Sequence, residues 1–402
     1  MSQVWYREVS RQEWKTFLTT FAAWTLDAFD FTIITFVLTD IRRSFEVNLA
    51  LAGALATVTL FFRMIGGIGA GTLADRYGRK GPILFAIAWY TGFAFLSGLS
   101  TSYVMLFTFR GLFGIGMGGE WGVGASLAME KAPKGARGFF SGFLQQGYAF
   151  GYLLAALCYR FVFPHLGWRA MFFIGGIPAL LALYIRYGVT ESEVWEKTKH
   201  EDWSQLGRAI VANWKTFLYM FAMMTAMSFV SHGTQDLYPT FLRVGRGLSV
   251  EMTSYAAIVY NIGAIIGGLV MGRYSDRVGR RRSMITALIL AIVVIPVWTY
   301  APTIPMLFMG AFMLQFMVQG AWGVIPVHIN ELSPDSVRGF LPGFAYQCGI
   351  AVGGISVAIQ EALAERYSYA DAMAGMTLIV FTVAAIVIAL GREKHQTEFG
   401  VS

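Results

Sequence analysis

Residues 71–80 read GTLADRYGRK, and residues 272–281 read GRYSDRVGRR. Both stretches have the pattern Gly-x-x-x-Asp-Arg-x-Gly-Arg followed by a basic residue, and they lie 201 residues apart. Each forms a short basic loop between two long apolar runs. The glycine near the end of the pattern suits a tight turn, because glycine adopts backbone angles closed to other residues. The aspartate suits either a helix N-terminus or a partner arginine.

Two further sets of residues recur at the same offset of 201 residues. Trp121-Gly122-Val123 returns as Trp322-Gly323-Val324. Glu130, Pro133, Arg137, Gly138, Gly142 and Gln146 return as Glu331, Pro334, Arg338, Gly339, Gly343 and Gln347. One fixed offset over three separate motifs indicates a duplicated chain. In membrane proteins, such repeats predict two bundles with a site between them near the middle of the bilayer.

The composition is that of a membrane protein. Of 402 residues, 56 % are hydrophobic and only 14 % are charged, whereas soluble domains carry about 25 % charged residues. The net charge is +7, but the basic residues cluster in short loops as the positive-inside rule predicts. We therefore expect the lipid bilayer, and no nucleic acid, as a partner. Cys158 and Cys348 both lie in apolar runs, which excludes a disulfide framework.

Apolar runs long enough to cross a bilayer fall in two sets of six. They lie at about 16–39, 50–73, 82–100, 103–129, 138–161 and 169–188, and then at about 214–242, 250–273, 283–300, 305–330, 338–360 and 369–390. This pattern predicts an all-α polytopic membrane protein with twelve transmembrane helices. We expect an N-terminal six-helix bundle over 1–188, a cytoplasmic linker over 189–213 and a C-terminal six-helix bundle over 214–402. The charge run of the linker, Glu191 to Arg208, is interpreted as a solvated face without chemistry.

We expect no cleavable signal peptide, because residues 1–15 carry charges of both signs and lead straight into the first apolar run. We therefore expect insertion in the cell membrane with a cytoplasmic N-terminus.

The repeated loop resembles the signature of the major facilitator superfamily, which carries it between spans two and three and again between spans eight and nine. The resemblance covers the whole chain and implies two pseudo-symmetric six-helix bundles, both termini cytoplasmic, and alternating access by rocking. Charged residues near the loops are then expected to hold a cytoplasmic gate shut. These are Asp75, Arg79, Glu130, Arg137, Asp276, Arg280, Glu331 and Arg338.

Predicted spans one, two and four contain five charged residues, which are rare inside a membrane and mark substrate or proton pathways. Asp27 and Asp30 lie in WTLDAFDF of span one, three apart and so on one helical face. Arg63 lies in span two, and Arg110 and Glu120 open and close RGLFGIGMGGE in span four. The Arg-x-x-x-Gly-x-Gly part of that run resembles a further superfamily signature linked to proton coupling. A structural pairing of Asp27 with Arg110 or Arg63 and a direct ligand role both remain open.

Predicted spans also contain the amide side chains of Asn261, Gln145, Gln146, Gln319 and Gln347. They could line the cavity or cross-link helices, and their spacing does not decide between the two.

Span seven contains the run SHGTQDLYPT at residues 231–240. His232 and Asp236 are four apart, so on a helix they share a face and could share a proton. The run from Ser228 to Thr240 resembles the span-seven motif of the Jen-type lactate/pyruvate:proton symporters, with serine in place of the first asparagine. That resemblance implies a transport role for His232, Gln235 and Asp236.

The N-terminal pattern WYR, LDAFDF, FFR and GGEWG also looks like bacterial sialic acid permeases, which belong to the same wider group of sialate/lactate:proton symporters.

These features predict a secondary active transporter that carries a proton together with a small monocarboxylate such as lactate or pyruvate. The alternative is a proton symporter of a larger organic acid, such as a sialic, sugar or aromatic acid. We expect no cofactor, since the proton gradient supplies the driving force, and a monomer. The chain offers no nucleophile motif and no histidine pair at metal-ligand spacing. We therefore expect neither a metal site nor an enzyme.

Overall fold

A computed structural model describes residues 9–176, 190–199 and 202–400. Within these ranges the chain is helical and contains no β-strand. The first half forms α1 Arg11–Ser44, α2 Leu49–Tyr77, α3 Lys80–Gly98, α4 Tyr103–Lys131, α5 Arg137–Gln145, α6 Gly147–Phe161 and α7 Phe163–Ile174. The linker forms α8 Glu193–Thr198 and α9 Trp203–Ala212. The second half forms α10 Trp214–Gln235, α11 Val250–Val278, α12 Arg280–Tyr300, α13 Ile304–Leu332, α14 Leu341–Gly353, α15 Ser356–Ala364 and α16 Tyr369–Leu390.

Most helices match the predicted spans, and seven of those described are long and apolar enough to cross a membrane. Spans five and eleven differ, because each is two shorter helices, with breaks at Gln146 and between Gly353 and Ser356. The sixth span, Phe163–Ile174, is kinked at Gly167, which has φ 71° and ψ −177°, and its part beyond the kink begins close to the predicted start at 169. Its predicted remainder, 177–188, lies outside the described residues.

Span seven also ends earlier than predicted. The helix α10 stops at Gln235, and a single turn, Tyr238–Thr240, and a π-turn, Phe241–Gly245, follow it. Pro239 explains the break, because proline has no N–H to donate and restrains the residue before it.

The two halves pack in the same way, as the duplication predicts. In the first half α2 packs closely on α4, and α1 packs on α6; in the second, α11 packs on α13 and α10 on α14. The halves meet through α5, which contacts α11 and α13, and through α14, which contacts α2 and α4. One helix of each half therefore packs against two helices of the other half, and the two sets of contacts are equivalent.

The repeated loops have the same backbone conformation. Gly78 has φ 104° and ψ 164°, and Gly279 has φ 99° and ψ 160°. L-residues with a side chain rarely adopt these angles, so glycine is required at both turns. Both loops lie at one end of the molecule, which we call the motif end.

Candidate functional site

At the motif end, each loop aspartate binds the other half of the molecule. The carboxylate of Asp75 accepts hydrogen bonds from the backbone N–H groups of Gly339 and Phe340 at 2.7 and 2.9 Å. The carboxylate of Asp276 accepts from those of Gly138 and Phe139 at 2.7 and 3.1 Å. Asp75 and Asp276 are buried, and bonds from N–H groups to a buried carboxylate are among the stronger hydrogen bonds in proteins.

The loop arginines neutralise these acids within their own half. Arg79 lies 2.5 Å from Asp75 and 3.2 Å from Glu130, between side-chain nitrogen and carboxylate oxygen. Arg280 lies 2.8 Å from Asp276 and 2.9 Å from Glu331 in the same sense. Burial alone would lower the pKa of Arg79, but Glu130 and Asp75 together raise it above its ordinary value, so the buried guanidinium stays charged.

A second pair of arginines links the halves. Arg137 of the first half lies 4.0 Å from Glu331, and Arg338 of the second lies 3.9 Å from Glu130. The structure therefore brings all eight predicted gate residues into one buried network with equivalent contacts on both sides. A gating role for that network stays a prediction.

The segments that follow the last helix of each half also reach the motif end. Glu191 accepts from the backbone N–H groups of Arg79 and Lys80 at 2.9 and 3.1 Å, at the start of α3. Glu393 accepts from those of Arg280 and Arg281, both at 3.0 Å, at the start of α12. Glu191 thus has defined partners, although the charge run that begins with it was expected to be a solvated face.

The C-terminal segment 391–400 continues across both halves. The guanidinium carbons of Arg137 and Arg338 each lie 3.7 Å from the centroid of the Phe399 ring. Arg137 also donates to the Thr397 carbonyl at 2.6 Å. This segment is therefore a strap that ties the two halves together at the motif end.

Next to this network, aromatic side chains close the space between the halves. Trp121 of α4 stacks on Tyr346 of α14 with 3.5 Å between ring centroids, and Trp322 contacts the same tyrosine edge-on at 6.0 Å. Beside the stack, a Cβ placed on Gly122 would lie 2.6 Å from the Cα of Gly343, so the two helices meet backbone to backbone.

The five intramembrane charges predicted to form the substrate or proton pathway lie together inside the first half. Asp27, Asp30, Arg63, Arg110 and Glu120 are all at least 96 % buried. Among the described residues, no carboxylate oxygen of the three acids has a hydrogen-bond partner, and neither do the three guanidinium nitrogens of Arg110. Their charges nevertheless act on one another, Arg63 on Asp27 and Glu120, and Arg110 on Asp27 and Asp30. The structure therefore supports proximity but shows no direct Asp27–arginine hydrogen bond.

The two arginines of this cluster differ in position. Arg110 is completely buried inside the first half, with its guanidinium 4.0 Å from the Phe113 ring centroid. The guanidinium of Arg63 lies 5.6 Å from the Trp24 ring, and its charge acts on Tyr148 of α6 and on Tyr346 of the other half. Arg63 therefore lies beside the boundary between the halves.

The span-seven residues lie on the second half. The Nδ1 atom of His232 is 2.8 Å from a carboxylate oxygen of Asp236, and the two side chains are 33 % and 38 % exposed. Gln235 donates to Gln315 of α13 at 2.9 Å. The charge of Asp236 acts on Tyr148, so this pair is near the first half as well.

The two ends of the span-seven motif lie away from this pair. Ser228 is fully buried, and a Cβ on Gly353 would overlap its hydroxyl. Ser228 therefore belongs to a contact between helices. Thr240 lines an open cleft of about 540 Å³ together with Arg243 and Ser249.

The remaining predicted polar residues take different positions. Asn261 donates to the Ala257 carbonyl of its own helix at 2.8 Å, so no cross-link between helices is seen for it. Gln347 is 3 % exposed, and its amide nitrogen has no partner among the described residues. Its Cγ lies against Gly67 of the other half. The described residues contain no cluster of His, Cys, Asp and Glu that could hold a metal ion.

Comparison with protein families gives two matches. The family described as Major Facilitator Superfamily matches residues 20–258, and the one described as Sugar (and other) transporter matches residues 208–392. Together they span most of the chain.

Three relatives have descriptions that concern transport. A probable 4-methylmuconolactone transporter of Cupriavidus pinatubonensis is 32 % identical, over 96 % of this chain and 92 % of its own. A sialic acid transporter of Escherichia coli is 29 % identical, over 96 % of this chain and 94 % of its own. A carboxylic acid transporter protein homolog of Saccharomyces cerevisiae is 27 % identical, over 98 % of this chain and 70 % of its own.

Among solved structures, a proton:xylose symporter aligns with a TM-score of 0.75 over 97 % of this chain and 98 % of its own, at 18 % identity. At this identity the match shows the fold alone, and it confirms the predicted fold class.

Proposed function

The chain belongs to the major facilitator superfamily and is a secondary transporter of that type, and from this premise we propose that it carries an organic acid together with a proton. The observation that carries the proposal is the buried cluster of three acids and two arginines in the first half.

The charge of this cluster favours the uptake of one proton. With Asp27, Asp30 and Glu120 ionised and Arg63 and Arg110 charged, the cluster carries one net negative charge in a region from which water is largely excluded. A net charge buried in a low-dielectric interior is costly unless it is paired and hydrogen-bonded. Since the carboxylate oxygens lack partners among the described residues, one proton on any of the three acids removes that net charge.

Arg63 can couple protonation of the acid cluster to binding of the substrate. It balances Asp27 and Glu120 on one side, and it lies beside Trp24, Tyr148 and Tyr346 at the boundary between the halves on the other. When one of these acids is protonated, Arg63 faces one carboxylate fewer and the cluster is neutral, so Arg63 can bind a substrate carboxylate in the bidentate manner that suits a guanidinium. The occupied site then carries one net negative charge instead of two. The anion therefore binds better to the protonated transporter, which is the requirement for symport.

On the opposite wall, the His232–Asp236 pair can bind the polar part of the substrate. Among the described residues Nε2 of His232 makes no hydrogen bond, so it is available to a hydroxyl or carbonyl group. The carboxylate of Asp236, 2.8 Å from Nδ1, orients the ring.

We propose a ring-containing organic acid, larger than lactate, as the substrate. The described walls near Arg63 are aromatic, and flat rings stack well on Trp and Tyr side chains. The relatives named for methylmuconolactone and sialic acid cover nearly the whole chain. The resemblance of the span-seven motif to lactate/pyruvate symporters keeps a small monocarboxylate as the second candidate.

The proposed orientation places the motif end in the cytoplasm of the cell, with the protein as a monomer in the cell membrane and both termini cytoplasmic. The basic residues Arg79, Lys80, Arg280 and Arg281 lie at this end, as the positive-inside rule requires of cytoplasmic loops.

The test is a binding screen followed by transport. Thermal stabilisation of the purified protein is measured with lactate, pyruvate, benzoate, muconolactone and sialic acid, each at two pH values, because a ligand stabilises the folded state that binds it. Ring-containing acids are expected to stabilise, and more so at the lower pH. The best acid is then followed into liposomes under an inward proton gradient, where its accumulation should collapse with a protonophore.

Arg63→Gln should weaken binding of that acid by roughly tenfold to a hundredfold, while Arg43→Gln, at an exposed arginine near the end of α1, serves as the control. Stabilisation by lactate alone would overturn the proposal that the substrate is a ring-containing acid larger than lactate. Accumulation that ignores pH and protonophore would overturn the proton coupling.

A further inference from the structure

A small void lies beside Glu120 of the acid cluster, inside the first half. It is lined by Thr19, Thr20 and Ala23 of α1, Ile83 of α3, and Glu120, Gly124 and Leu127 of α4. It offers about 10 Å³ to the centre of a water molecule, which is about the space that one water needs. A Cβ on Gly124 would lie 3.1 Å from the Thr20 methyl carbon and 3.2 Å from a Glu120 carboxylate oxygen, so this glycine keeps the void open.

The void has the polar partners that a bound water requires. Both carboxylate oxygens of Glu120 are buried and lack a partner among the described residues. The hydroxyls of Thr19 and Thr20 donate to the carbonyls of Lys15 and Thr16 at 2.6 and 2.9 Å, which leaves their lone pairs free to accept. A water there would have three polar partners, a number typical of buried waters.

The void lies between Glu120 and the motif end. Along α4, Glu120, Gly124 and Leu127 share one face and lead toward the end of that helix at Lys131. At 1.5 Å per residue Glu120 lies roughly 16 Å from that end. Ile83 is in the first turn of α3, and with Leu127 it forms an apolar barrier between the void and the motif end. Both side chains are at least 97 % buried, so in this conformation the void is closed.

From this arrangement we propose that Glu120 releases its proton toward the motif end through a water held by Thr19 and Thr20, between α1, α3 and α4. The O–H bond of protonated Glu120 breaks as a new one forms on the water oxygen. That water gives up one of its own protons to further water when Ile83 and Leu127 separate. The proton then leaves within the first half, while the organic acid leaves between the halves. This inference rests on the proposed proton coupling.

The test separates proton release from substrate movement. Thr19→Val and Thr20→Val keep side-chain shape and remove the hydroxyl that holds the water, and Gly124→Ala fills the void. Two rates are measured in liposomes with the acid identified by the screen: net uptake driven by a proton gradient, and exchange of labelled for unlabelled acid at equal pH. Exchange does not require the proton to leave. Net uptake should fall about tenfold, and exchange should stay within about twofold of the unaltered protein.

Thr32→Val is the matched control, because Thr32 is also buried in α1 and donates to the carbonyl of Ala28, but it does not line the void. It should leave both rates unchanged. If the unaltered protein shows no proton-driven uptake, the proposed function fails. If uptake is proton-driven and the threonine variants keep it, or lose uptake and exchange alike, the route through the void is overturned.

Discussion

Replacing Asp75 by asparagine should open the motif end. In the structure its carboxylate accepts two hydrogen bonds from the other half, at 2.7 and 2.9 Å, and a third from Arg79 at 2.5 Å. Asparagine keeps one acceptor oxygen but loses the charge, and its NH₂ group would face an N–H group of the other half. Each charge-assisted hydrogen bond is worth about 1.5–3 kcal/mol. We expect the closed motif end to lose about 2–3 kcal/mol, which lowers the closed-to-open ratio roughly 30-fold to 150-fold.

Distance measurements between spin labels can detect this shift. Labels at Gly135 of the first half and Arg282 of the second, both exposed near the motif end, are introduced after Cys158 and Cys348 have been replaced by serine. The unaltered protein should give one short distance, and Asp75→Asn should add a longer one.

The equivalent variant Asp276→Asn should give a shift of the same size, because its contacts match those of Asp75. As a control, Asp371→Asn removes an acid whose described partners, Tyr300 and Ser368, lie in its own half. An unchanged distance in both loop variants, or an equal change in the control, would refute the reasoning.

Three further predictions concern the same end of the molecule. Gly122→Ala should prevent full closure, because the added Cβ would lie 2.6 Å from the Cα of Gly343; the label distances should lengthen, and unchanged distances would contradict the close approach. Phe399→Ala removes two cation–π contacts of about 0.5–2 kcal/mol each, and the same labels should show a larger open fraction. An unchanged open fraction would show that the C-terminal strap does not stabilise the closed motif end. Glu191→Gln should lower stability by about 1 kcal/mol through the loss of a charged cap at α3, and Glu393→Gln should do the same; thermal unfolding of both proteins checks this, and a change in only one of them would argue against their equivalence.

The duplication explains how much of the fold could be predicted from the sequence. Repeated glycines and aspartates at one offset fix the two turns, and the structure gives Gly78 and Gly279 nearly the same angles. Span breaks were less accessible. Pro239 is visible in the sequence, yet the predicted span continues past it to Leu242, and no proline lies at the break at Gln146.

The residues of the site could be predicted from the sequence, but the contacts between them could not. Spacing showed that Asp75 could cap a helix, but not that the N–H groups it binds lie 264 and 265 residues further along the chain. Burial also decides what a charge does: Arg110 packs under Phe113 inside the first half, which its place in the sequence does not reveal. Glu191 was missed because its counterpart Glu393 lies 202 rather than 201 residues away, so the shared offset does not detect it.

The crossed aspartates have a consequence for how the motif end opens. Asp75 and Asp276 lie on either side of the pseudo-two-fold axis, and each is anchored in one half and bound to the other. A rocking motion of one half against the other therefore lengthens the hydrogen bonds of both aspartates at once, and neither set breaks while the other remains. Opening should be all-or-none, with no stable half-open state, since the transition passes between two discrete arrangements. In a transporter built in this way, access to the site between the halves switches abruptly from one side of the membrane to the other. No continuous channel across the membrane forms during the switch.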